Sequence, residues 1–200
     1  MEFFYKDFNL TGWNNNRTSL SKKKLKVGIA GFGVVGKRRH HFIQENPNFE
    51  TVAVSDIRFE DKGFFNDSLK TISKNNVRLL TDYKYLFDDN IDVLFVSLPN
   101  YLAPDATMRG LRNGCHVFCE KPPGRNIKDI KDVIEVEKNN PSLKLKYGFN
   151  HRYHGSVEEA KRIINSNKFG EVLVFRGLYG KSRIVPFSGG WRCERKYSGG

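Results

Sequence analysis

The chain has 200 residues, 38% of them apolar and 13% aromatic, and a formal net charge of +12. That content can build one or two packed domains, which excludes global disorder, and no apolar run approaches the ~20 residues that span a bilayer. Met1–Leu10 lacks a basic start, an apolar stretch and a small-residue cleavage site, so neither a secretory signal nor a membrane partner is expected.

Residues 1–24 are rich in Asn, Lys and Ser without clear periodicity and read as an N-terminal extension, with Phe3, Phe4, Phe8 and Trp13 available for packing. From Leu25 apolar runs alternate with amphipathic ones. Strands are expected at 25–30, 50–56, 92–97, 115–119 and 144–148, and helices at 34–46, 82–88, 103–113 and 127–139. Thr81 and Asn126 have the character of N-caps, and Pro47 and Pro141 stand at plausible helix stops. Residues 58–79 read as a loop with a short helix around Asp67–Ser73. Apolar strands alternating with helices predict an α/β fold, a Rossmann-type doubly wound parallel sheet covered on both faces.

The first strand ends in Gly31-Phe32-Gly33-Val34-Val35-Gly36, a G-x-G-x-x-G turn opening a helix. Gly31 allows the tight turn, Gly33 lets backbone approach a pyrophosphate, and Gly36 lets the helix pack close to the sheet. The helix N-terminus offers free N–H groups to the anion. The second strand ends at Asp56, about 20 residues further on, where an acid accepts the adenosine ribose hydroxyls. NAD is therefore the expected cofactor. NADP stays possible because Arg58, beyond Ile57, can offset the repulsion of a 2′-phosphate or stack on adenine.

Of the three cysteines, Cys115 and Cys119 fall on one strand pattern and read as small buried residues; with Cys193 they show no C-x-x-C spacing. A reducing, cytoplasmic location fits. The Lys22-Lys23-Lys24 and Lys37-Arg38-Arg39 clusters lack interleaved aromatics and a nucleic-acid module, so no nucleic-acid partner is expected. The basic charge then serves an anionic ligand or balances an acidic remainder of a longer chain. His40 and His41 lie on the first helix and read as packing or solvated residues. His151 and His154 have no carboxylate or thiol at a supporting spacing, so no metal is expected.

After Gly148 the pattern changes. Val157, Ala160, Ile163 and Ile164 form a helical stripe starting after Ser156, and Val172–Tyr179 alternates like a strand, with Val172, Val174 and Leu178 on one face. One helix and one strand cannot bury a core, so 149–200 reads as the start of a second α/β domain after the dinucleotide-binding domain of 25–148.

Gly31–Gly36, Asp56, Ser97-Leu98-Pro99-Asn100, Cys119-Glu120-Lys121-Pro122 and Gly148-Phe149-Asn150-His151-Arg152-Tyr153 occur in one order that resembles the Gfo/Idh/MocA family of NAD(P)-dependent oxidoreductases. Trp191-Arg192 before Ser198-Gly199-Gly200 is similar to the same family. The resemblance implies that Lys121 is the catalytic, substrate-contacting residue. Beside a positive nicotinamide ring an ammonium is disfavoured, which suits a lysine to proton transfer. It implies cofactor contacts from Ser97, Leu98, Pro99, Asn100, Glu120, Lys121, Trp191 and Arg192, and further substrate contacts from Asn150, His151 and Arg152. A cis Lys121–Pro122 bond is expected. Many relatives carry His three residues after the Asn; Ala103 stands there, which leaves that role unfilled.

The implied function is hydride transfer between nicotinamide and a hydroxyl of a sugar, cyclitol or nucleotide sugar, by a homo-oligomer. Two alternatives stay open: a transient-redox lyase or glycosidase, and a non-catalytic dinucleotide sensor. The family's D-x-x-x-H-type motif beyond the glycine run does not appear before Gly200, so the chain is expected to be a fragment.

Overall fold

The structure is a computed structural model that describes residues 23–72, 76–178, 180 and 190–199. The N-terminal aromatics, Ser73 and Tyr179 lie outside the described residues. The described residues up to Gly148, together with those from Gly190 onward, form one compact unit; those from Phe149 to Gly180 belong to a second.

The first unit is built on six parallel strands: β1 (Leu25–Ala30), β2 (Phe49–Ser55), β3 (Arg78–Leu80), β4 (Val93–Val96), β5 (His116–Cys119) and β6 (Leu145–Tyr147). Their spatial order is β3-β2-β1-β4-β5-β6, so the winding reverses between β1 and β4. In β1 every residue from Val27 to Ala30 is buried, as a strand covered on both faces requires. Helices α1 (Val34–Glu45), α2 (Lys62–Thr71), α3 (Ala103–Arg112) and α4 (Ile127–Lys138) connect the strands.

Helical spacing explains how these elements pack. Gly36, His40 and Ile43 form the buried stripe of α1, with His40 Nδ1 3.0 Å from Thr51 Oγ1. Gly110 brings α3 so close that a Cβ there would lie 2.8 Å from Val117 and 2.9 Å from Leu94 side-chain carbons. The core joins Leu94, Val96, Ala106, Leu111, Val117 and Val136. Cys115 and Cys119 are buried within it and unbridged. Burial pushes their thiols up, to about 11 for Cys115 and about 12 for Cys119.

Three local expectations need correction. Thr81 does not cap; Asp82 does, its carboxylate accepting from Lys84 N at 2.9 Å at the start of the 3-10 turn Tyr83–Asp89. The short helix in 58–79 begins earlier, at Lys62, because Asp61 accepts from Phe64 N at 2.7 Å and starts it there. That region also contains β3, a three-residue strand too short to show alternation. Asn126 does cap α4, accepting from Asp129 N at 3.0 Å.

In the second unit a 3-10 turn, Asn150–Tyr153, precedes α5 (Gly155–Asn165). Residues 171–178 form no strand, although their alternation predicts one. A strand exists through its ladder, and among the described residues nothing pairs with this segment. Leu173, Val174, Phe175 and Leu178 are almost fully exposed.

Candidate dinucleotide and hydride-transfer site

The loops that follow β1, β2, β4 and β5 leave the sheet at its C-terminal edge, around the point where the winding reverses. In open α/β sheets that crevice is where ligands bind. Each loop starts in register because the ladder runs one residue past the strand. Gly31 N donates to Ser55 O at 2.8 Å, Ser97 N to Ala30 O at 2.7 Å, Glu120 N to Val96 O at 2.9 Å and Asp56 N to Leu80 O at 3.0 Å.

The glycines of the first loop have separate physical causes. Gly31 has φ +88°, and a Cβ there would lie 2.5 Å from Ser97 O. At Gly36 a Cβ would overlap the carbonyl of Gly31. Both glycines are demanded by the fold itself. Gly33 is different: among the described residues the only atom near its absent Cβ is Arg58 Nη2, at 3.2 Å. The helix it opens has no side-chain cap and no acid in its first turn. Open backbone before uncapped helical N–H groups suits a phosphate.

Asp56 closes the other side of this turn. Its side chain is 8% exposed. Oδ2 accepts from Phe32 N at 2.9 Å and Arg58 Nη2 at 2.8 Å; Oδ1 accepts from Arg58 N at 3.0 Å and Arg58 Nε at 2.9 Å. Burial alone would raise this carboxyl, but hydrogen bonds from the Arg58 side chain and from the Arg58 and Phe32 amides outweigh it and hold the group below its ordinary value. Ile57 is exposed beside it.

After β4, Ser97, Leu98, Pro99 and Asn100 line the next loop. Ser97 Oγ is buried without a hydrogen-bond partner among the described residues. Asn100 Nδ2 donates to Ser198 O at 2.7 Å, so its amide holds the returning segment 190–199. That segment comprises the 3-10 turn Trp191–Cys193 and α6 (Arg195–Ser198). Tyr197 packs on Tyr101 with ring centroids 4.7 Å apart, and Lys196 O accepts from Arg125 Nη1 at 3.2 Å. Arg192 lies over the Trp191 ring at 4.5 Å. Trp191 and Arg192 therefore belong to the same unit as the glycine turn.

After β5, Glu120 and Lys121 diverge. Glu120 turns under β6, within contact of the space a Gly148 Cβ would need. Its Oε1 accepts from Arg39 Nε at 2.7 Å and also from Arg39 Nη2. The Arg39 guanidinium rests 4.9 Å from the Phe118 ring. Arg39 is a site residue that sequence reasoning missed. In the sequence it is one cation of a basic cluster, and its partner lies 81 residues away. Lys121 is exposed, and its ammonium makes no hydrogen bond or ion pair among the described residues. The Lys121–Pro122 peptide is cis, as expected.

Asn150, His151 and Arg152 occupy the 3-10 turn of the second unit, where the His151 and His154 rings lie 4.7 Å apart. Among the described residues no group of three or more His, Cys, Asp or Glu could hold a metal ion.

A parallel sheet wound in this order, with an uncapped glycine turn and a buried acid at its reversal point, defines a dinucleotide-binding unit, and these residues fit NAD. Comparison with known proteins extends the assignment. The chain belongs to the Gfo/Idh/MocA oxidoreductase family with NAD-binding Rossmann fold, whose profile it matches over residues 25–149. It is 29% identical over 164 residues to an inositol 2-dehydrogenase of Salmonella typhimurium, covering 81% of this chain and 48% of that protein. The myo-inositol 2-dehydrogenase structure from Lactobacillus plantarum is similar at 28% identity and TM-score 0.63, over 75% of this chain and 43% of that one. The scyllo-inositol dehydrogenase from Lactobacillus casei, with NAD(H) and scyllo-inositol bound, gives 25% and 0.65, over 74% and 43%. The chain thus spans about half the length of the curated relatives it matches.

Proposed function

We propose that this chain carries the cofactor half of an NAD-dependent dehydrogenase acting on a secondary hydroxyl of a cyclitol or sugar. The observation that carries this reading is the meeting of Gly31–Gly36, Asp56, Ser97–Asn100 and Lys121 in the loops of one sheet edge, around the winding reversal. Gly33 and the first turn of α1 hold the pyrophosphate, and Asp56 takes the adenosine ribose. Ile57, Leu98 and Pro99 shape the walls, while Asn100, Trp191 and Arg192 stand toward the nicotinamide end. When bound, NAD supplies the hydride acceptor. Lys121 hydrogen-bonds the reacting hydroxyl and takes part in moving its proton. Glu120 holds the loop that carries Lys121. Among the described residues, those from 149 to 180 begin a second domain, in which Asn150, His151 and Arg152 contact substrate.

Relatives named as inositol dehydrogenases support the substrate class. Unbridged cysteines, Cys115 and Cys119 buried and Cys193 exposed, are in keeping with a cytoplasmic location. No helix among the described residues is long and apolar enough to cross a membrane. The exposed apolar residues of 172–178 support self-association into a homo-oligomer.

The test is an assay of NAD reduction with myo-inositol, scyllo-inositol and simple glucosides, run on a form of the protein that includes the whole substrate domain, alongside NAD titration calorimetry. Reduced cofactor accumulating with one of these substrates is expected. Substrate cleavage without net reduction would place the chemistry in the transient-redox class. NAD binding without any turnover would make the protein a sensor.

A further inference from the structure

We propose that His116 is a pH-sensitive latch on β6: its neutral ring holds the start of that strand, and protonation in mildly acid solution releases it. β6 is an edge strand of three residues, so each bond that pins it is a large share of its attachment. In its parallel ladder with β5, Lys144 O accepts from Val117 N at 2.8 Å. At the far end Gly148 N donates to Cys119 O at 2.8 Å. The N–H of Lys144, one residue before the strand, donates to His116 Nδ1 at 3.0 Å. A side chain thus supplies the acceptor with which the ladder begins. His116 N in turn donates to Asp92 O at 3.0 Å, so the same residue is tied to the chain entering β4.

This geometry fixes the charge of the ring. A backbone N–H can only donate, so Nδ1 carries a lone pair and the proton of the neutral ring is on Nε2. A second proton can enter only at Nδ1. The imidazolium has N–H groups at both nitrogens, and the Lys144 N–H would then face another donor. The closed latch and the charged ring exclude one another.

The surroundings act in the same direction. The ring is half-buried. Burial, and then the Lys144 ammonium, hold it below its ordinary value, and the Asp92 carboxylate offsets them only in part. Asp92 Oδ2 itself accepts from Lys26 N at 2.7 Å. On the α3 side β5 meets Gly110, beside Val117, and Arg109 of that helix is paired with Asp105. The adjoining Cys115 thiol, raised to about 11, stays neutral through the acid range. Opening frees the ring to take a proton at its ordinary value of about 6.5, whereas the closed latch cannot. The open population therefore grows as pH falls below that value, at most about 30-fold by pH 5. β6 leads straight into Gly148 and the turn Asn150–Tyr153, so the proton acts on the last strand before the chain leaves the sheet.

Amide hydrogen exchange of this chain, followed by NMR at pH 7 and pH 5 and corrected for intrinsic rates, tests the latch. His116→Asn and His116→Phe are measured alongside, and thermal unfolding checks that each variant folds. In the parent, protection at Lys144 falls by roughly 10–30-fold on acidification. Val117, whose acceptor is Lys144 O, moves the same way, while Gly148 at the other end keeps its protection. Nitrogen spectra of the ring at pH 7 show the proton on Nε2. His116→Asn can accept through Oδ1 but does not titrate, so it keeps Lys144 protected at both pH values. His116→Phe has no acceptor and leaves Lys144 weakly protected at both. Equal protection of Lys144 at the two pH values in the parent would overturn the proposal, as would a ring proton on Nδ1. Acid sensitivity that survives in His116→Asn would overturn it too. So would equal losses at Lys144 and Gly148, which would make the effect one of the whole sheet.

Discussion

At Gly33 a Cβ would meet only the flexible end of Arg58 among the described residues, whereas Gly31 and Gly36 are closed in by backbone atoms. This separates ligand demands from folding demands at neighbouring positions. Gly33→Val should abolish NAD binding in calorimetry while the melting temperature stays near that of the parent. Gly36→Ala should instead lower stability, since its Cβ would overlap the Gly31 carbonyl. Binding by Gly33→Val at parental strength would sink the pyrophosphate assignment. Lys121 poses the complementary question at the other end of the site. Lys121→Ala should cut turnover of the active protein by about 10²–10⁴, the usual loss for an acid–base group, with NAD affinity nearly constant. A rate within a few-fold of the parent would reduce it to a loop residue. Both proposed roles come from the chain alone: one from the spacing of three glycines, the other from the Glu-Lys-Pro run. Arg39 was not legible. Nothing local to Lys37-Arg38-Arg39 says which cation turns inward, and only folding brings Glu120 to it.

The pair of Arg39 and Glu120 joins two elements with different tasks. α1 opens at the glycine turn, and the loop after β5 carries Lys121. The side chains are 17% and 15% exposed, so this is a sheltered contact, not a surface ion pair of little worth. Arg39→Ala leaves the Glu120 carboxylate without its guanidinium partner and should cost about 1.5–3 kcal/mol in urea unfolding. Turnover should fall further than NAD affinity, because the loop after β5 loses its brace while the glycine turn keeps its own. Arg39→Lys should restore stability only in part, since a lysine cannot reproduce the two-nitrogen contact. Full recovery in Arg39→Lys would mean that charge alone suffices. The same scale shows where pattern reading succeeds and fails. β1, α1, α3 and α4 are long and periodic, and their sequence bounds lie within a residue or two of the structural ones. β3 has three residues and no pattern to read. Residues 172–178 have the pattern but no partner strand among the described residues. Alternation reports what a segment can do in a sheet, not whether a sheet is there.

Across the whole molecule, burial of acid groups sets the response to pH. Burial raises the thiols of Cys115 and Cys119 to about 11 and about 12, and chiefly burial also pushes up the hydroxyls of Tyr83 and Tyr147. In the unfolded chain a thiol ionises near 8.5. Above that value the native state holds protons that the unfolded state has lost, so stability falls as pH rises toward the folded values. The urea midpoint should therefore be lower at pH 10 than at pH 7, and Cys119→Ala should flatten that slope. An unchanged midpoint would contradict the buried thiols. The return of residues 190–199 has a consequence of another kind. Asn100 is bonded to Ser198 across 98 positions of chain, and Tyr101 and Arg125 meet the same segment. During synthesis the six strands are complete once β6 has emerged, but the loops after β4 and β5 still lack these contacts. The dinucleotide unit therefore matures in two stages, and the loops after β4 and β5 cannot reach their final form until the ribosome has passed Ser198.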